Sequence, residues 1–227
     1  MKKSILLIVF VSLSNVLTSQ VYEAGVFVGG SNYVGDVGRT NYIYPNEIAG
    51  AAFFKYNWNP KMAIRATYSF LPISGNDLNA DTDFKRDRGL NFTNTIHEFA
   101  LGLEYNFYEY DLSSPEKTWT PYILVEIAGF NYQKVVAEPR PGDFVFEIEN
   151  SLTIPFGFGL KSKLIGNFAF AIEAKFRYTF VNDIEETSIV NVDELNKLID
   201  NNNDWYMFTG VSLTYTFGRP ACYTKGL

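Results

Sequence analysis

The chain has 227 residues, with 25 acidic against 19 basic side chains and a formal charge of −6. That acidity argues against nucleic acid or an anionic phosphate as partner. The only cysteine is Cys222, so no internal disulfide and no cysteine-based metal cluster is available.

Lys2 and Lys3 precede a short apolar run from Ile5 to Leu13. This is the form of an export signal, and the run is too short for a membrane-spanning helix. Residues 1–19 are therefore expected to be a signal peptide, cut after Ser19 or Gln20, although Leu17 is bulky for a position near the cut. Its removal takes away two basic residues and moves the formal charge to about −8. Residues 20–217 are then expected to form one domain.

Aromatic residues make up 17% of the chain, led by 20 Phe and 15 Tyr. Eight apolar segments are predicted as strands: 22–30, 48–56, 61–70, 93–108, 119–134, 151–163, 168–180 and 204–217. The seventh shows the alternation best. Phe168, Phe170, Ile172, Phe176, Tyr178 and Phe180 fall on one face, and Glu173, Lys175 and Arg177 on the other. The fourth sets Phe99, Leu101, Leu103, Tyr105 and Phe107 against Glu98 and Glu104, and the fifth sets Ile123, Val125 and Ile127 against Glu126. The first and sixth alternate less clearly.

The connections alternate in length. Asn57 to Pro60 and Leu164 to Asn167 are tight and 111–117 is moderate, whereas 31–47, 71–92, 135–150 and 181–203 are long and polar. Short turns at one end and long loops at the other are the form of an outer-membrane barrel. An even number of strands closes the sheet and removes edges that lipid could not tolerate. The expected fold is all-β, an eight-stranded antiparallel transmembrane barrel, with both termini in the periplasm and outer-membrane lipid as its surroundings. A secreted soluble barrel or sandwich is the alternative. It would have to explain why long strands carry aromatics on one face and charges on the other.

Parity directs Arg65, Glu98, Glu104, Glu126, Glu173, Lys175 and Arg177 into the barrel. Eight strands leave an interior just wide enough for side chains to fill, so these residues are expected to form an ion-paired plug. They give no catalytic carboxylate pair, since nothing implies a cleft beside them. The sole histidine, His97, shares the outward side with Phe99 near the loop end of its strand. It reads as an interfacial position with a polar tip; a rim enzyme would need a Ser or Asp beside it. The sequence has no nucleophile elbow, phosphate-binding glycine loop or zinc spacing, so neither enzymatic activity nor a cofactor is expected.

In the first loop, Gly29-Gly30 and Gly35 to Gly38 are read as turn glycines. Tyr33, Tyr42, Ile43 and Tyr44 either fold over the barrel mouth or contact a partner. The charges between Asp77 and Arg88 match no calcium loop and are read as solvated. Val192, Leu195, Leu198 and Ile199 form a short helical stripe in the last loop. Residues 218–227 form a tail, either a periplasmic handle or a frayed extension.

Four stretches carry a family resemblance: Glu23 to Asp36, ending in Gly35-Asp36; Asn46 to Ala52; Ile96 to Phe107; and Thr120 to Tyr122. In these the chain resembles the small outer-membrane barrels of Bacteroidota, and specifically the PorG-like proteins of the type IX secretion system. The resemblance implies a noncatalytic envelope component of protein transport and gliding motility. Such a component would anchor or stabilise a periplasmic ring built from a lipoprotein and associated secretion proteins. The family supplies no catalytic residues. Trp58 in a short turn and Arg219, Tyr223 and Lys225 in the tail are the candidates for periplasmic contact. The alternative is a surface adhesin or structural barrel that acts through its long external loops.

Overall fold

The structure is a computed structural model. It describes residues 21–110, 118–140, 143–181, 183–185 and 203–218. The expected signal segment, the helical stripe near Leu195 and the tail with Arg219, Tyr223 and Lys225 lie outside the described residues.

Eight strands run β1 Val21–Val34, β2 Glu47–Asn59, β3 Met62–Asn76, β4 Asn91–Asn106, β5 Trp119–Arg140, β6 Asp143–Ile165, β7 Phe168–Thr179 and β8 Trp205–Phe217. Each pairs antiparallel with its sequence neighbour. β8 returns to β1 in an unbroken register from Tyr22↔Phe217 to Val34↔Trp205, so the sheet is a closed barrel. One short helix, α1 Asp83–Arg88, sits in the connection between β3 and β4.

The two faces follow the alternation. Phe99, Leu101 and Leu103 on β4, Ile123, Val125 and Ile127 on β5, and Phe156, Phe158 and Leu160 on β6 are exposed on the outer wall. The interior has two layers. Toward the short turns it is charged. Toward the long connections it is an apolar cluster that includes Phe27, Leu71, Ile73, Phe92, Ile96, Phe130 and Phe208. Aromatic contacts ring the outer wall at both ends: Tyr22 with Phe54 and Phe217, and Tyr108 with Trp119, toward the turns; Tyr178 with Phe180 and Trp205 toward the loops. Among the described residues no helix is long and apolar enough to cross a membrane.

Several expected boundaries are corrected. The stretch 135–150 is not a loop: β5 and β6 stay paired from Val135↔Phe146 to Arg140↔Asp143, with register shifts on the way. Its exposed Val136, Val145, Phe146 and Ile148 favour extended backbone, but they do not alternate cleanly among their charged neighbours, which hid the hairpin. Leu71–Asn76 likewise belongs to β3, with Leu71 and Ile73 buried in the apolar layer. Gly29 and Gly30 are strand residues, not turn residues. A Cβ on Gly29 would strike the backbone of Thr209 and Gly210, so this glycine permits close approach at the β1–β8 seam. Gly38, with φ +85°, does serve a turn.

Candidate functional site

The structure places all seven residues of the predicted interior set inside the barrel, nearly free of solvent. Most partners come from strands that share no hydrogen bonds; Arg65 with Glu104, on neighbouring β3 and β4, is an exception. Arg177 on β7 donates from Nε to Glu98 Oε2 at 3.0 Å and from Nη2 to Oε1 at 3.1 Å, and Tyr206 donates to the same carboxylate at 2.8 Å. Arg65 on β3 reaches Glu173 Oε2 at 2.6 Å and lies 3.6 Å from Glu104. Lys175 holds Glu126 at 2.8 Å, and Thr67 donates to its other oxygen at 3.0 Å.

Three charged members escaped the sequence reading: Glu23, Lys55 and Lys161. Lys55 lies 2.8 Å from Glu104 and 3.9 Å from Glu23, and Lys161 donates to Glu104 Oε1. Small Ala24 and Ser162 blur the alternation beside Glu23 and Lys161, whereas Lys55 stands between Phe54 and Tyr56, where parity alone points it inward. Asn57 donates to Glu23 at 2.7 Å and Tyr122 to Glu173. With these members the lumen holds Glu23, Glu98, Glu104, Glu126 and Glu173 against Lys55, Arg65, Lys161, Lys175 and Arg177, five charges of each sign among the described residues. Arg65 also stacks on Phe53 at 4.2 Å and Arg177 on Tyr206 at 5.5 Å, where the charged layer meets the aromatic one. Among the described residues these ten charges balance and pack as a plug of side chains.

At the short-turn end Trp58 is 66% exposed. The turn beside it is held by Asn59, whose Oδ1 accepts from the Lys61 and Met62 amides at 2.8 and 2.9 Å.

The long-connection end is more ordered than its charge implied. Asp77, read as solvated, is fully buried. It accepts from the Gly38 amide at 2.8 Å, from Arg88 Nε at 2.8 Å and from the Leu90 amide at 3.1 Å. Arg88 also donates to the Asp36 carbonyl at 2.6 Å, and Lys85 to the Gly35 and Gly38 carbonyls at 3.1 and 3.2 Å. The second connection is thus clamped to the first. Sequence reading missed this because the partners are backbone groups 39 to 52 residues away.

Glu185 and Asp204 meet at the same end, both buried. The Tyr33 hydroxyl lies 2.6 Å from Asp204 Oδ1 and 3.0 Å from Glu185 Oε2. Burial, reinforced by the Asp204 charge, pushes Glu185 up to about 9; burial pushes Asp204 up to about 6. Burial beside a second carboxyl therefore favours the protonated form of the pair.

His97 faces outward, its Nδ1 2.9 Å from the Tyr68 hydroxyl and its ring edge-on to Phe70 at 5.3 Å. Ser151 lines the same shallow groove, with Gly129 and Asn131. No group of three or more His, Cys, Asp or Glu side chains suited to a metal occurs among the described residues.

No curated protein matches the chain. Among solved structures it is similar to a major outer membrane protein from Thermus thermophilus, at 13% identity and TM-score 0.49, covering 88% of this chain and 100% of that one. It is similar to the N-terminal β-barrel domain of Pseudomonas aeruginosa OprF, at 12% identity and TM-score 0.48, covering 88% and 98%. Neisserial surface protein A is also similar, at 9% identity and TM-score 0.46, covering 87% and 97%. Identities this low carry no activity across, and the closed barrel rests on its own strand pairing. The family described as "Domain of unknown function (DUF6089)" matches residues 2–226, almost the whole sequence, and the chain belongs to that family.

Proposed function

We propose that this protein is a noncatalytic barrel of the outer membrane that works through its long-connection end, as a surface-binding or structural element. The observation that carries the reading is the inside-out wall. Ile48 is 83% exposed and Ile127 70%, while Arg65, Glu98 and Arg177 are buried. In water each large exposed side chain forgoes roughly 1.5–3 kcal/mol of burial, whereas lipid recovers it. The aromatic rings at both ends fit the interfacial girdles of such barrels. The clamp of Asp77, Arg88 and Lys85 supports a working role for the loop end, since it fixes a surface that a passive cover would not need.

The test is membrane fractionation followed by protease treatment of intact cells. The expected result is recovery of the chain with outer membranes and external cleavage within 39–46 or 78–90. A chain found in the aqueous fraction without detergent, or cleaved only after the envelope is opened, would sink the reading.

A second reading, an anchor for the periplasmic ring of the type IX secretion system, draws support from the resemblance in Glu23 to Asp36, Asn46 to Ala52, Ile96 to Phe107 and Thr120 to Tyr122. It needs contact at the short-turn end, where Trp58 is the exposed candidate. Native extraction with crosslinking would recover the ring lipoprotein in a Trp58-dependent manner. Loss of the gene without any export defect, together with no such complex, would remove this reading.

A further inference from the structure

The clamp between the first and second connections frames a polar cleft of about 320 Å³. Asn32, Tyr33 and Val37, all buried, contribute to its base; Arg39, Asn41 and Tyr44 line it from the first connection, and Asn76 and Asn79 from the end of β3 and the turn beyond. The volume lies near the lower end of the ~300–1,000 Å³ typical of small-molecule sites, so the ligand is small.

The cleft is built before any ligand arrives. Asn32 acts as a strut: its Nδ2 donates to the Asn41 and Tyr42 carbonyls at 3.3 and 3.2 Å, and its Oδ1 accepts from the Tyr44 amide at 3.4 Å. Asn46 ties the loop to Ser74, donating to its carbonyl at 3.1 Å and its hydroxyl at 2.9 Å. Arg39 closes the frame, with Nε donating to the Asn79 carbonyl at 2.9 Å and the guanidinium stacked on Tyr44 at 4.5 Å. A surface fixed in this way binds without a large ordering cost.

What the frame leaves unused defines the ligand. The side-chain amides of Asn41 and Asn79, Nδ2 of Asn76 and the two terminal nitrogens of Arg39 have no hydrogen bond to a described residue. No carboxylate lines the cleft, so it offers nothing to a cation. Arg39 is the one charged residue of its lining; its Nε and its face are engaged, and its two remaining terminal nitrogens offset at most one negative charge, which is poor provision for a doubly charged phosphate or sulfate. A carboxamide presents a donor and an acceptor side by side, the complement of a hydroxyl that does both. Tyr44 adds an aromatic edge beside them.

We propose that this cleft binds a neutral saccharide unit, its neighbouring hydroxyls held by Asn41, Asn76 and Asn79 and its ring packed beside Tyr44. The inference deepens the loop-end reading above and rests on it.

The experiment uses the full chain in an amine-oxide detergent, because a maltoside headgroup would compete. Saturation-transfer NMR and titration calorimetry would be run with maltotriose, mannotriose and a chitin trisaccharide as neutral probes and a trigalacturonate as the anionic one. Saturable binding of a neutral probe is expected, weakened about tenfold in Asn79→Ala and in Tyr44→Ala, each a loss of one or two good contacts. Ile43→Ala, exposed beside the cleft but not lining it, is expected to bind normally. Heat-modifiable migration on a gel would verify that each variant keeps its barrel.

Three results would overturn the saccharide assignment: no neutral probe saturating; a neutral probe bound equally by both variants; or trigalacturonate alone binding, with loss in Arg39→Gln and not in Asn79→Ala. The cell-surface protease test separates the two levels. Surface cleavage without sugar binding removes only this inference, and a chain that never reaches the surface removes the reading beneath it.

Discussion

Arg177 on β7 and Glu98 on β4 join in a two-pronged ion pair across the lumen, although neither strand touches the other in the sheet. Cross-braces of this kind fill the barrel and set its cross-section. Removing one partner leaves the other buried and unpaired, which costs about 3–5 kcal/mol. Glu98→Ala is therefore expected to lower the urea midpoint of the barrel refolded in vesicles. The double variant Glu98→Leu with Arg177→Met is expected to recover much of that loss. Equal midpoints for Glu98→Ala and the native chain would show that the brace is idle.

The outer wall gives a test of its solvent. Ile127 stands near the middle of β5, 70% exposed and opposite Leu101. On an aqueous surface Ile127→Lys would change stability by less than about 0.5 kcal/mol. At the lipid midplane it would cost about 2–4 kcal/mol. The larger value is expected for refolding in vesicles. Val145→Lys, on the β5–β6 hairpin beyond the rim, is expected to be near neutral and serves as the control.

The carboxyl pair Glu185–Asp204 makes the loop end sensitive to pH. Both groups have folded values raised above their ordinary 4.5 and 3.8. The folded chain then keeps protons that the unfolded chain has released, so the contribution is fully present below about pH 4 and is lost as pH rises through about 6 and about 9. Asp36 adds to the repulsion on Asp204, while nearby Lys85 and Arg88 are engaged by carbonyls and Asp77. The Ile184 amide, which donates to Asp204 Oδ2 at 3.2 Å, is the natural reporter. Its hydrogen-exchange protection, corrected for intrinsic rates, is expected to fall between pH 5 and 9 in the native chain, and in Glu185→Gln to lose the upper part of that fall and keep only the part near pH 6 that belongs to Asp204. A flat profile in the native chain would refute that retention of protons.

Barrel closure depends on the glycine contact between Gly29 and Gly210 at the β1–β8 seam. Gly29→Val would force the strands apart there and is expected to destabilise by about 1–3 kcal/mol, as overpacking does. Gly129→Ala, where an added Cβ meets nothing within 4 Å, is expected to be silent. Heat-modifiable migration as a function of temperature would read both.

The residues themselves show how far the sequence reached. Glu173, Lys175 and Arg177 alternate with large apolar neighbours, so parity alone turned them inward. Glu23 obeys the same parity, but Ala24 beside it gives the outward face of β1 too little contrast to declare it; Lys55, between Phe54 and Tyr56, was legible by parity and was overlooked. The hairpin tip was lost for the opposite reason: from Val136 onward its described side chains are exposed, so the strands need no alternation to persist. Asp77 was misjudged because charge density in a loop says nothing about distant backbone donors that converge on one carboxylate. The saccharide cleft was equally hidden, since Asn32, Asn46 and Asn79 are ordinary turn residues until two connections are folded together.

The β5–β6 hairpin stays paired to Arg140↔Asp143, nine residues past the Asn131↔Asn150 pair at the rim. At about 3.3 Å per residue this is a ridge on the order of 30 Å long, shortened somewhat by tilt. Whatever approaches the barrel from that side meets the crest before it reaches the saccharide cleft. The crest rises from the β5–β6 side of the wall, across the barrel from the β1–β2 connection that helps frame the cleft, so the two stand as separate features of one end.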